Sequence, residues 1–272
     1  MGLGRRLLVE SEVFAERFGE VAAGVERWVD WSVAGVLGDG GLLARIEVVQ
    51  PVLFVVQVAL AGVWESWGVR PGAVVGHSQG EIAAAVVAGV LSVEDGARLV
   101  VERSALFARE LVGRGVVASV ALPVAEVERR LPRELSVAGV NGPSSTTVAG
   151  ETALVERFVA ELASAGVRAR VVPASVASHS VQVERLRDEV VDGLGFVRPG
   201  PGRVPVYSTV TGGVVSGVEM DAGYWFENCR RPVLFAPVVE RLLGDGFGVL
   251  VEPSAHPVLV MNVEEIADRA GA

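Results

Sequence analysis

The sequence predicts an α/β fold in which a large unit of helices and strands carries a smaller inserted unit. Residues 74–81 indicate a strand, a sharp turn and a helix, because two valines precede Gly-x-Ser-x-Gly and a run of small residues follows it. Residues 116–172 then read as strands and helices in the order βαββαβ, the ferredoxin-like pattern. We therefore expect a large subdomain formed by residues 1–114 and 173–272, and a small subdomain at 115–172.

The predicted elements before the sharp turn are helices. Residues 5–29 place apolar side chains at the spacing of one helix. Pro51 begins the next helix, since proline suits the first helical position, and Gly68 ends that helix just after Trp67. The segment 69–72 then turns the chain into the strand.

Two further helices follow the sharp turn. The small-residue run 82–88 forms the first, which Gly89 ends. The segment from Ser92 to Asp95 is typical of a capping box, and it opens a second helix that extends to about Leu111.

Turn residues and apolar runs place the remaining elements. Within the small subdomain we expect strands at 116–122, 135–140, 146–149 and 167–172, helices at 124–131 and 152–165, and a turn at 141–144. Beyond it we expect helices at about 183–193 and 233–243, and strands at 204–209 and 248–252.

Composition and charge limit the class of protein. The chain has 272 residues, half of them hydrophobic, which is enough for a large core. Its formal net charge of −9 argues against nucleic acid as the main partner. The single cysteine, Cys229, cannot support a disulfide framework and reads as a small buried hydrophobe, so we expect a reducing compartment.

The sequence does not predict a membrane span. The longest apolar run, 52–64, contains Gln57 and is shorter than the ~20 residues that a span needs. The first residues also lack the apolar segment of a signal peptide. We therefore expect a cytoplasmic protein that does not bind a membrane.

Ser78 is the candidate nucleophile. Such a serine must lie on a tight, strained turn, and Gly76 and Gly80 would remove the Cβ atoms that collide there. The helix that follows would direct N–H groups and the positive end of its dipole toward an oxyanion. The alternative is a glycine-rich turn that contains a serine by chance, and the flanking strand and helix favour the nucleophile.

Three histidines are candidates for the base that a serine nucleophile needs. His77 directly precedes Ser78, so its side chain is expected to point away from the serine. His179 and His256 each follow a predicted strand, where a site loop belongs in an α/β sheet. The sequence slightly favours His179, and a structural role stays open for either histidine.

Arg103 is the candidate for binding an anion. It lies on a predicted helix close to the apolar residues Leu99, Val100 and Leu106. A guanidinium can bind a carboxylate through two parallel hydrogen bonds. Most helix arginines are solvated surface residues, however, and the residues alone leave both possibilities open.

With these residues identified, the sequence resembles an acyltransferase domain of a modular polyketide synthase, a family related to malonyl-CoA:acyl carrier protein transacylases. The resemblance covers essentially all 272 residues. It rests on segments that occur in the family's order: 48–51 (Val-Val-Gln-Pro), 76–81 (Gly-His-Ser-Gln-Gly-Glu), 103–104 (Arg-Ser), 140–143 (Val-Asn-Gly-Pro), 177–180 (Ala-Ser-His-Ser), 224–225 (Tyr-Trp), 231–233 (Arg-Pro-Val) and 256–259 (His-Pro-Val-Leu).

The resemblance implies roles for the candidate residues. Ser78 would take the acyl group, and His179 would be its base. Arg103 would bind the free carboxylate of a malonyl-type acyl chain. The backbone N–H of Gln79 would be one oxyanion donor.

The resemblance also implies a fold and a supporting region. Backbone carbonyls near the last strand, rather than a carboxylate, would orient the histidine. His256 would lie in that region, and Asn141 is a further supporting candidate. The implied fold is an α/β-hydrolase-like large subdomain with a ferredoxin-like insert.

Two departures from the family pattern concern activity and substrate. The family normally begins with a strand and Gly-Gln-Gly-x-Gln-Trp, whose glutamine helps form the oxyanion hole, and this chain reads as starting after that segment. Members that use methylmalonyl usually show Tyr-Ala-Ser-His and those that use malonyl show His-Ala-Phe-His, where this chain has Val-Ala-Ser-His at 176–179. Gln79 and the segment 48–51 agree with users of α-alkylmalonyl groups. We expect Gln79, Val176 and Ser178 to contact the substrate, with methylmalonyl favoured and ethylmalonyl as an alternative.

The expected activity is acyl transfer by a ping-pong route through an acyl ester on Ser78. It uses acyl-CoA as substrate and needs no bound cofactor and no metal. The expected partners are an acyl carrier protein, whose phosphopantetheine thiol accepts the acyl group, and the flanking ketosynthase and other domains of a synthase.

Two other functions stay open. An α/β-hydrolase esterase or thioesterase would carry Ser78, Asp245 and His256 in that order, although the sequence has no His-Gly-Gly-Gly-type oxyanion loop. A truncated, non-catalytic docking module is the second, because the sequence reads as starting after the family's first strand.

Overall fold

The computed structural model of the chain describes residues 2–173 and 176–271. It combines helices with a three-stranded and a four-stranded sheet. The elements before the first strand are α1 (Gly2–Glu10), α2 (Glu12–Glu26), α3 (Val33–Val36), a 3₁₀ turn (Leu42–Ala44) and α4 (Ile46–Ser66).

The first predicted helix is two helices. The prediction of one helix over 5–29 is wrong, because the chain breaks at Ser11 between α1 and α2. Ser11 has an extended backbone, and its hydroxyl oxygen accepts a hydrogen bond from the Phe14 N–H at 3.2 Å. This arrangement satisfies a free donor at the start of α2, as an N-cap residue does.

Helix α4 begins earlier than predicted and ends where predicted. It starts at Ile46, so Pro51 lies inside the helix, where it lacks a donor N–H, and the prediction that Pro51 opens the helix is wrong. Gly68 ends it with a φ of 84°, and the Val69 N–H donates to the Trp64 carbonyl at 3.0 Å. That is a Schellman-type ending, which a glycine favours because it has no Cβ.

The three-stranded sheet leads directly into the predicted nucleophile turn. Its strands are β1 (Val74–Val75), β6 (Val206–Ser208) and β7 (Gly213–Val215), in the order β1-β6-β7. β1 is parallel to β6, and β7 is antiparallel to β6. β6 falls within the predicted strand 204–209, whereas β7 was not predicted.

Two helices follow β1. They are α5 (Gly80–Val87) and α6 (Val93–Glu110). Their predicted boundaries are confirmed: Gly89 follows α5 with a φ of 75°. The Ser92 hydroxyl accepts a hydrogen bond from the Asp95 N–H at 2.9 Å and so caps α6.

The main core lies where α2, α4 and α6 pack against one another. Helix α4 has 21 residues and a window of mean hydropathy 2.0, so by length and composition it could cross a membrane. However, 61% of that window is buried inside the fold, which is also the situation of a core helix. The largest fully buried side chains of this core include Phe14, Phe54, Phe107, Leu99, Ile82 and Trp225.

The four-stranded sheet is antiparallel, with strands in the order β3-β4-β2-β5. The elements in chain order are β2 (Val116–Val120), α7 (Val124–Glu128), β3 (Ser136–Gly142), β4 (Ser145–Gly150), α8 (Thr152–Ser164) and β5 (Ala169–Val171). The predicted element order βαββαβ is confirmed, and the sheet has a hydrophobic cluster of its own around Val120, Val148 and Phe158. The subdomain boundaries at 115–172 stay a prediction.

The remainder of the chain is mainly helical. Its elements after β5, apart from β6 and β7, are a 3₁₀ turn (Val181–Leu186), α9 (Arg187–Gly193), a 3₁₀ turn (Gly217–Glu219), α10 (Ala222–Arg230), α11 (Phe235–Gly244) and α12 (Val260–Ala270). The helices predicted at 183–193 and 233–243 are present with shifted ends, and α12 was not predicted.

The strand predicted at 248–252 is wrong, because none of the described residues pairs with this segment. The Glu252 carboxylate accepts hydrogen bonds from the N–H groups of Val258 at 2.9 Å and Leu259 at 3.0 Å. The segment is therefore part of a loop that Glu252 holds at the start of α12.

Strand β3 contacts the segment that follows α10. The Val233 N–H donates to the Ala138 carbonyl at 2.9 Å, and the Val140 N–H donates to the Val233 carbonyl at 2.8 Å. Asn141 and Gly142, predicted to lie in a turn, are the last residues of β3. These contacts bring Asn141 to the same side of the molecule as the end of α10.

Candidate active site

Ser78 lies on the sharp turn between β1 and α5. Its φ of 53° is in the left-handed region, which non-glycine residues rarely adopt. A Cβ atom at Gly76 would lie 2.2 Å from the Glu81 backbone, so only glycine fits there. At Gly80 a Cβ atom would have its nearest neighbour at 3.7 Å, which is an ordinary contact, so the prediction of a collision at Gly80 is wrong.

His179 is the base candidate that the fold brings to Ser78. The Ser78 Oγ and His179 Nε2 atoms are 2.7 Å apart. On the other side of the ring, His179 Nδ1 lies 2.8 Å from the carbonyl oxygen of Arg231. A carbonyl can only accept, so the Nδ1 atom carries the proton and the Nε2 lone pair faces the serine hydroxyl.

The environment of His179 keeps the ring neutral. Its pKa is lowered to about 3: burial is the largest cause, the positive charge of Arg103 is the second, and the hydrogen bond to the Arg231 carbonyl opposes both. A neutral imidazole can accept the serine proton, which is what a general base must do.

The support of His179 differs from the prediction in one respect. A backbone carbonyl orients the ring, as expected, but it belongs to Arg231 just after α10 and not to a last strand. His256 is exposed, in the loop before α12. Because both ring nitrogens of His179 already bond to Ser78 and Arg231, His256 does not orient the base directly.

The esterase alternative is not supported by the positions of its residues. The Asp245 carboxylate accepts a hydrogen bond from the Tyr207 hydroxyl at 2.7 Å. Ser78 bonds instead to His179, with no described contact to His256. The order Ser78, Asp245, His256 along the chain therefore does not correspond to a triad in space.

Arg103 is buried beside the nucleophile, with 4% of its surface exposed. Its Nη2 atom lies 3.4 Å from Ser78 Oγ, its Nη1–H donates to Gln50 Oε1 at 2.6 Å, and its Nε–H faces Cys229 Sγ at 3.3 Å. The guanidinium also lies over the Phe107 ring, at 4.6 Å from the ring centre. The surface alternative for this arginine is therefore wrong.

Arg103 has no acidic partner in the part of the chain that the structure describes. Across residues 2–173 and 176–271, no aspartate or glutamate lies within ion-pair distance of it. A buried cation without an anion is costly, since both desolvation and the absence of a counter-charge disfavour it. The site is consequently suited to an external anion, and a carboxylate matches the planar guanidinium.

Gln79 offers a backbone donor next to Ser78. The hydrogen bonds of the turn begin with the Gly80 N–H, which donates to the His77 carbonyl at 3.0 Å. In the part of the chain that the structure describes, the Gln79 N–H has no acceptor. It lies at the positive end of α5, where an oxyanion is stabilised.

His77 points away from the nucleophile, as predicted. Its Nε2 atom is 2.8 Å from Asn141 Oδ1 at the end of β3, and its ring packs against Phe235. Burial is the largest cause of its lowered pKa. Asn141 therefore supports the nucleophile turn through His77 rather than through the base.

The structure adds a buried carboxyl that the sequence analysis did not assign. Glu81, in the first turn of α5, is fully buried, and its carboxyl accepts from the Tyr224 hydroxyl at 2.8 Å, the Thr209 N–H at 3.1 Å and Asn228 Nδ2 at 2.7 Å. Burial raises the pKa of Glu81 to about 7. The available signal was a glutamate directly before an apolar run that forms a buried helix, because such a charge needs partners.

Val176 and Ser178 lie in the loop that leads to His179. Val176 is buried in the main core and Ser178 is half-buried, and the Ser178 N–H donates to the Val176 carbonyl at 2.7 Å. Neither has a described hydrogen bond to Ser78, so their contact with a substrate stays a prediction. Among the described residues, no group of three or more histidine, cysteine, aspartate or glutamate side chains could hold a metal ion.

Known proteins share this sequence and fold. The sequence model described as "Acyl transferase domain" matches residues 1–271. The chain belongs to the acyl transferase domain family. Ser78, Gln79, Arg103 and His179 of this acyl transferase domain come from three separate segments of the sequence, and the fold brings them to one place.

Several large synthases contain a similar stretch. Polyketide synthase GfsE of Streptomyces halstedii is 49% identical over 274 residues, which cover 100% of this chain and 7% of GfsE. Erythronolide synthase EryA2 of Saccharopolyspora erythraea is 47% identical over 276 residues, which cover 99% of this chain and 8% of EryA2. The acyl transferase domain thus spans less than a tenth of the length of these relatives.

Solved structures show the same fold. The acyltransferase domain from module 8 of the salinomycin polyketide synthase is 44% identical, with a TM-score of 0.93 over 96% of this chain and 63% of that one. A loading acyltransferase from the avermectin modular polyketide synthase is 43% identical, with a TM-score of 0.94 over 98% of this chain and 87% of that one. The malonyl CoA-acyl carrier protein transacylase from Coxiella burnetii, at 23% identity and a TM-score of 0.88 over 97% of this chain and 85% of that one, shares the fold.

Proposed function

We propose that this acyl transferase domain moves an α-alkylmalonyl group from CoA to the phosphopantetheine thiol of an acyl carrier protein. The proposal rests on the groups that surround the Ser78 hydroxyl. Ser78 Oγ is 2.7 Å from the Nε2 atom of a neutral histidine and 3.4 Å from a buried guanidinium that has no carboxylate partner among the described residues. Such a site can activate the serine and hold an acidic acyl chain at the same time.

The first half-reaction would load Ser78. His179 Nε2 takes the hydroxyl proton while Ser78 Oγ attacks the thioester carbonyl, and a new C–O bond forms. The negative oxygen of the tetrahedral intermediate lies at the positive end of α5, where the Gln79 N–H is free to donate. When the intermediate collapses, the C–S bond breaks, and the proton on His179 goes to the sulfur of CoA.

The second half-reaction would reverse these steps with a different thiol. His179 takes the proton of the phosphopantetheine thiol, and the sulfur attacks the acyl ester on Ser78. The C–O bond then breaks, and the proton on His179 returns to Ser78 Oγ. One neutral histidine therefore serves both half-reactions, with no metal and no bound cofactor.

Arg103 would select acyl groups that carry a free carboxylate. In a malonyl-type thioester the carboxylate is separated from the reacting carbonyl by one carbon, so a guanidinium close to Ser78 Oγ can reach it. Gln50 and Cys229 hold two of the guanidinium nitrogens in place. Rigid placement of this kind reduces the entropy that substrate binding must overcome.

The substituent on the α-carbon is assigned from the resemblance of the sequence to users of α-alkylmalonyl groups. We propose methylmalonyl as the favoured unit and ethylmalonyl as an alternative, because Val176 lacks the tyrosine ring that the family often places there. Gln79 and Ser178 would contact the same acyl chain. One methylene in an apolar pocket is worth only ~1–3 kcal/mol, so we expect overlapping preferences.

The proposal extends to partners, location and architecture. The small share of the synthase relatives that the chain spans supports flanking domains, a ketosynthase among them, and an acyl carrier protein in the same assembly. We propose a cytoplasmic location, with no nucleic acid and no membrane as a partner. The architecture would be an α/β-hydrolase-like large subdomain, 1–114 and 173–272, with a ferredoxin-like insert at 115–172.

Intact-protein mass spectrometry tests the activity. The domain is incubated with malonyl-, methylmalonyl-, ethylmalonyl- and propionyl-CoA, and then with an acyl carrier protein that bears phosphopantetheine. We expect a mass increase that matches the methylmalonyl ester and its transfer to the carrier. Loading by propionyl-CoA alone, or hydrolysis without any loaded carrier, would contradict the proposal.

Val176→Tyr tests the assignment of the substituent. The added ring is expected to narrow the pocket and to shift the ratio of ethylmalonyl to methylmalonyl loading toward methylmalonyl. Competition between the two thioesters in one reaction measures that ratio directly. If the ratio is the same in the variant, Val176 does not form the pocket wall.

A further inference from the structure

The carboxyl of Glu81 is buried, and no described residue places a cation beside it. It lies in the first turn of α5 and is fully enclosed. Its hydrogen bonds come from neutral groups on two other segments: Thr209, just after β6, and Tyr224 and Asn228 on α10. Three elements that are distant in the sequence therefore meet at one carboxyl group behind the nucleophile turn.

The direction of these hydrogen bonds is fixed by their neighbours. The Ser208 Oγ atom accepts from the N–H groups of Val210 at 3.1 Å and Thr211 at 3.2 Å, which uses both of its acceptor sites. It also lies 2.6 Å from the Tyr224 hydroxyl. Its own proton is therefore directed to the Tyr224 oxygen, and the Tyr224 proton is directed to Glu81 Oε1. All the partners donate to the carboxyl, a pattern that favours its ionised form and so opposes the effect of burial on its pKa.

The same residues also hold the backbone of the nucleophile turn. Asn228 Nδ2, which donates to Glu81, lies 3.3 Å from the Ser78 carbonyl oxygen. Thr209, whose N–H donates to Glu81, uses its Oγ1–H to bond the Gly76 carbonyl at 2.8 Å. Each of these residues thus joins Glu81 to a carbonyl of the turn.

Stability alone does not explain why a carboxyl group is buried at this position. A carboxyl group in a dry interior with no cation is destabilised by the loss of its hydration. An apolar residue of similar volume would avoid that loss. A strained residue, by contrast, stays in a left-handed conformation only when its surroundings determine its geometry fully. Ser78 is such a residue, with a φ of 53°.

We propose that Glu81 is a positioning residue for acyl transfer, which acts through Asn228 and Thr209 to hold Ser78 where its Oγ atom meets His179. The inference rests on the proposed route through an acyl ester on Ser78. Removing the carboxylate leaves Ser78, His179 and Arg103 unchanged. It lets the turn relax, and a shift of about 1 Å in a reacting atom can lower a rate by about 100-fold.

The test compares Glu81→Gln with the unmodified domain. The amide keeps the size of the side chain, but one acceptor oxygen becomes a donor that opposes Asn228 or Tyr224. We expect the maximal rate of Ser78 acylation to fall by about 10- to 100-fold. The KM for the acyl-CoA is expected to stay the same, because Arg103 is untouched. Thr146→Val, which removes a buried hydroxyl from the four-stranded sheet, is the control for a loss of stability.

A second reagent separates this inference from the proposed function. A fluorophosphonate forms an O–P bond with an activated serine and releases fluoride, so it reports the reactivity of Ser78 without any acyl-CoA. We expect Glu81→Gln to slow this labelling by the same factor as acylation, and Thr146→Val to leave it unchanged. If acyl-CoA fails to load the unmodified domain, the proposed function fails, and the labelling ratio still decides the role of Glu81.

A double-mutant cycle tests the route through Asn228. If Glu81 acts through Asn228, the double variant Glu81→Gln/Asn228→Ala is about as slow as the slower single variant, because the two changes remove one interaction. Thr209→Val removes only the bond to the Gly76 carbonyl, and it replaces Glu81→Gln as the test if that variant does not fold. We expect Thr209→Val to slow labelling about 3- to 10-fold, because only part of the support of the turn is lost. The proposal would be overturned if Glu81→Gln and Thr209→Val were both labelled within twofold of the rate of the unmodified domain. It would also be overturned if the rate losses of the two single variants simply multiplied in the double variant.

Discussion

The turn at Ser78 and the loop at His179 each hold a residue in a strained backbone conformation, but they are supported by different contacts. Ser78 and His179 are the two non-glycine residues with positive φ among the described residues, at 53° and 57°. Each such conformation costs of order 1–3 kcal/mol, so both segments need outside support. The bond between the two side chains therefore connects two strained positions.

The support of the two segments differs in origin. The turn at Ser78 lies between a strand and a helix and is specified largely by its own residues, such as Gly76. The loop at His179 has no regular structure, and its N–H donates to the Cys229 carbonyl at 2.8 Å while its ring bonds to the Arg231 carbonyl. The shape of the turn at Ser78 is thus encoded by nearby residues, although Asn228 and Thr209 also hold its carbonyls, whereas the loop at His179 takes its shape from contacts with the end of α10.

Removing the nucleophile is expected to have the largest effect. Ser78→Ala eliminates the atom that forms the ester, so no acyl-enzyme is expected in the intact-protein mass spectrum with any acyl-CoA. Ser164→Ala, an exposed serine on α8, is the matched control and is expected to load normally. A mass increase that persists in Ser78→Ala would show that another residue carries the acyl group.

Removing the base tests the histidine loop in the same assay. His179→Ala is expected to slow acylation by about 10²–10⁴-fold, the usual range for a general base. His256→Ala is expected to have little effect, because this histidine is exposed and both ring nitrogens of His179 already bond to Ser78 and Arg231. A larger loss in His256→Ala than in His179→Ala would restore the esterase alternative.

Removing the cation changes selectivity more than reactivity. Arg103→Ala is expected to weaken loading of methylmalonyl by ~1.5–3 kcal/mol, since a charge-assisted hydrogen bond is lost. Loading of propionyl relative to methylmalonyl is expected to rise, because no buried cation then requires a partner. Arg109→Ala, an exposed arginine on the same helix, is the control. Unchanged discrimination between the two thioesters would refute the carboxylate clamp.

The titration of His179 tests the support of the histidine loop in the unmodified domain, without a substitution. Its pKa of about 3 means that the folded ring stays neutral from pH 8 to pH 5, whereas an ordinary histidine titrates near 6.5. A folded pKa below the unfolded value stabilises the fold above pH 6.5, and this stabilisation is lost as the pH falls through 3. With three histidines in the chain, nuclear magnetic resonance of labelled rings can follow each one. A midpoint near pH 6.5 for His179 would contradict the buried, neutral base.

Local rules predicted what short segments determine. The turn at Ser78, the cap at Ser92 and the helix ending at Gly68 each depend on neighbours a few residues away, and the structure confirms them. Pro51 shows the limit of such rules, because burial of α4 in the core outweighs the preference of proline for a helix start. The strand predicted at 248–252 is wrong because an apolar run forms a strand only beside a pairing strand, and no described strand lies beside this segment.

The rest of the site depends on contacts between distant segments. The carbonyl that orients His179 is a backbone group of Arg231, and a backbone group has no sequence signature. The Glu81 network joins α5, α10 and the segment after β6, so its geometry emerges only when these elements pack. Arg103 shows the same limit, because its burial beside Ser78 could not be distinguished from a surface position by helical spacing alone.

The position of Arg103 links the pKa of His179 to the presence of an acyl group that carries a carboxylate. In the free domain its positive charge is the second cause of the low pKa of His179. Under the proposed clamp, the carboxylate of a bound acyl group offsets that charge, so the imidazole becomes more basic only while a matching substrate is present. An acyl group without a carboxylate leaves the histidine weak, and selection then operates in the bond-forming step as well as in binding. A titration of His179 with and without a non-transferable malonyl analogue measures this coupling, and an unchanged midpoint would show that the two charges act independently.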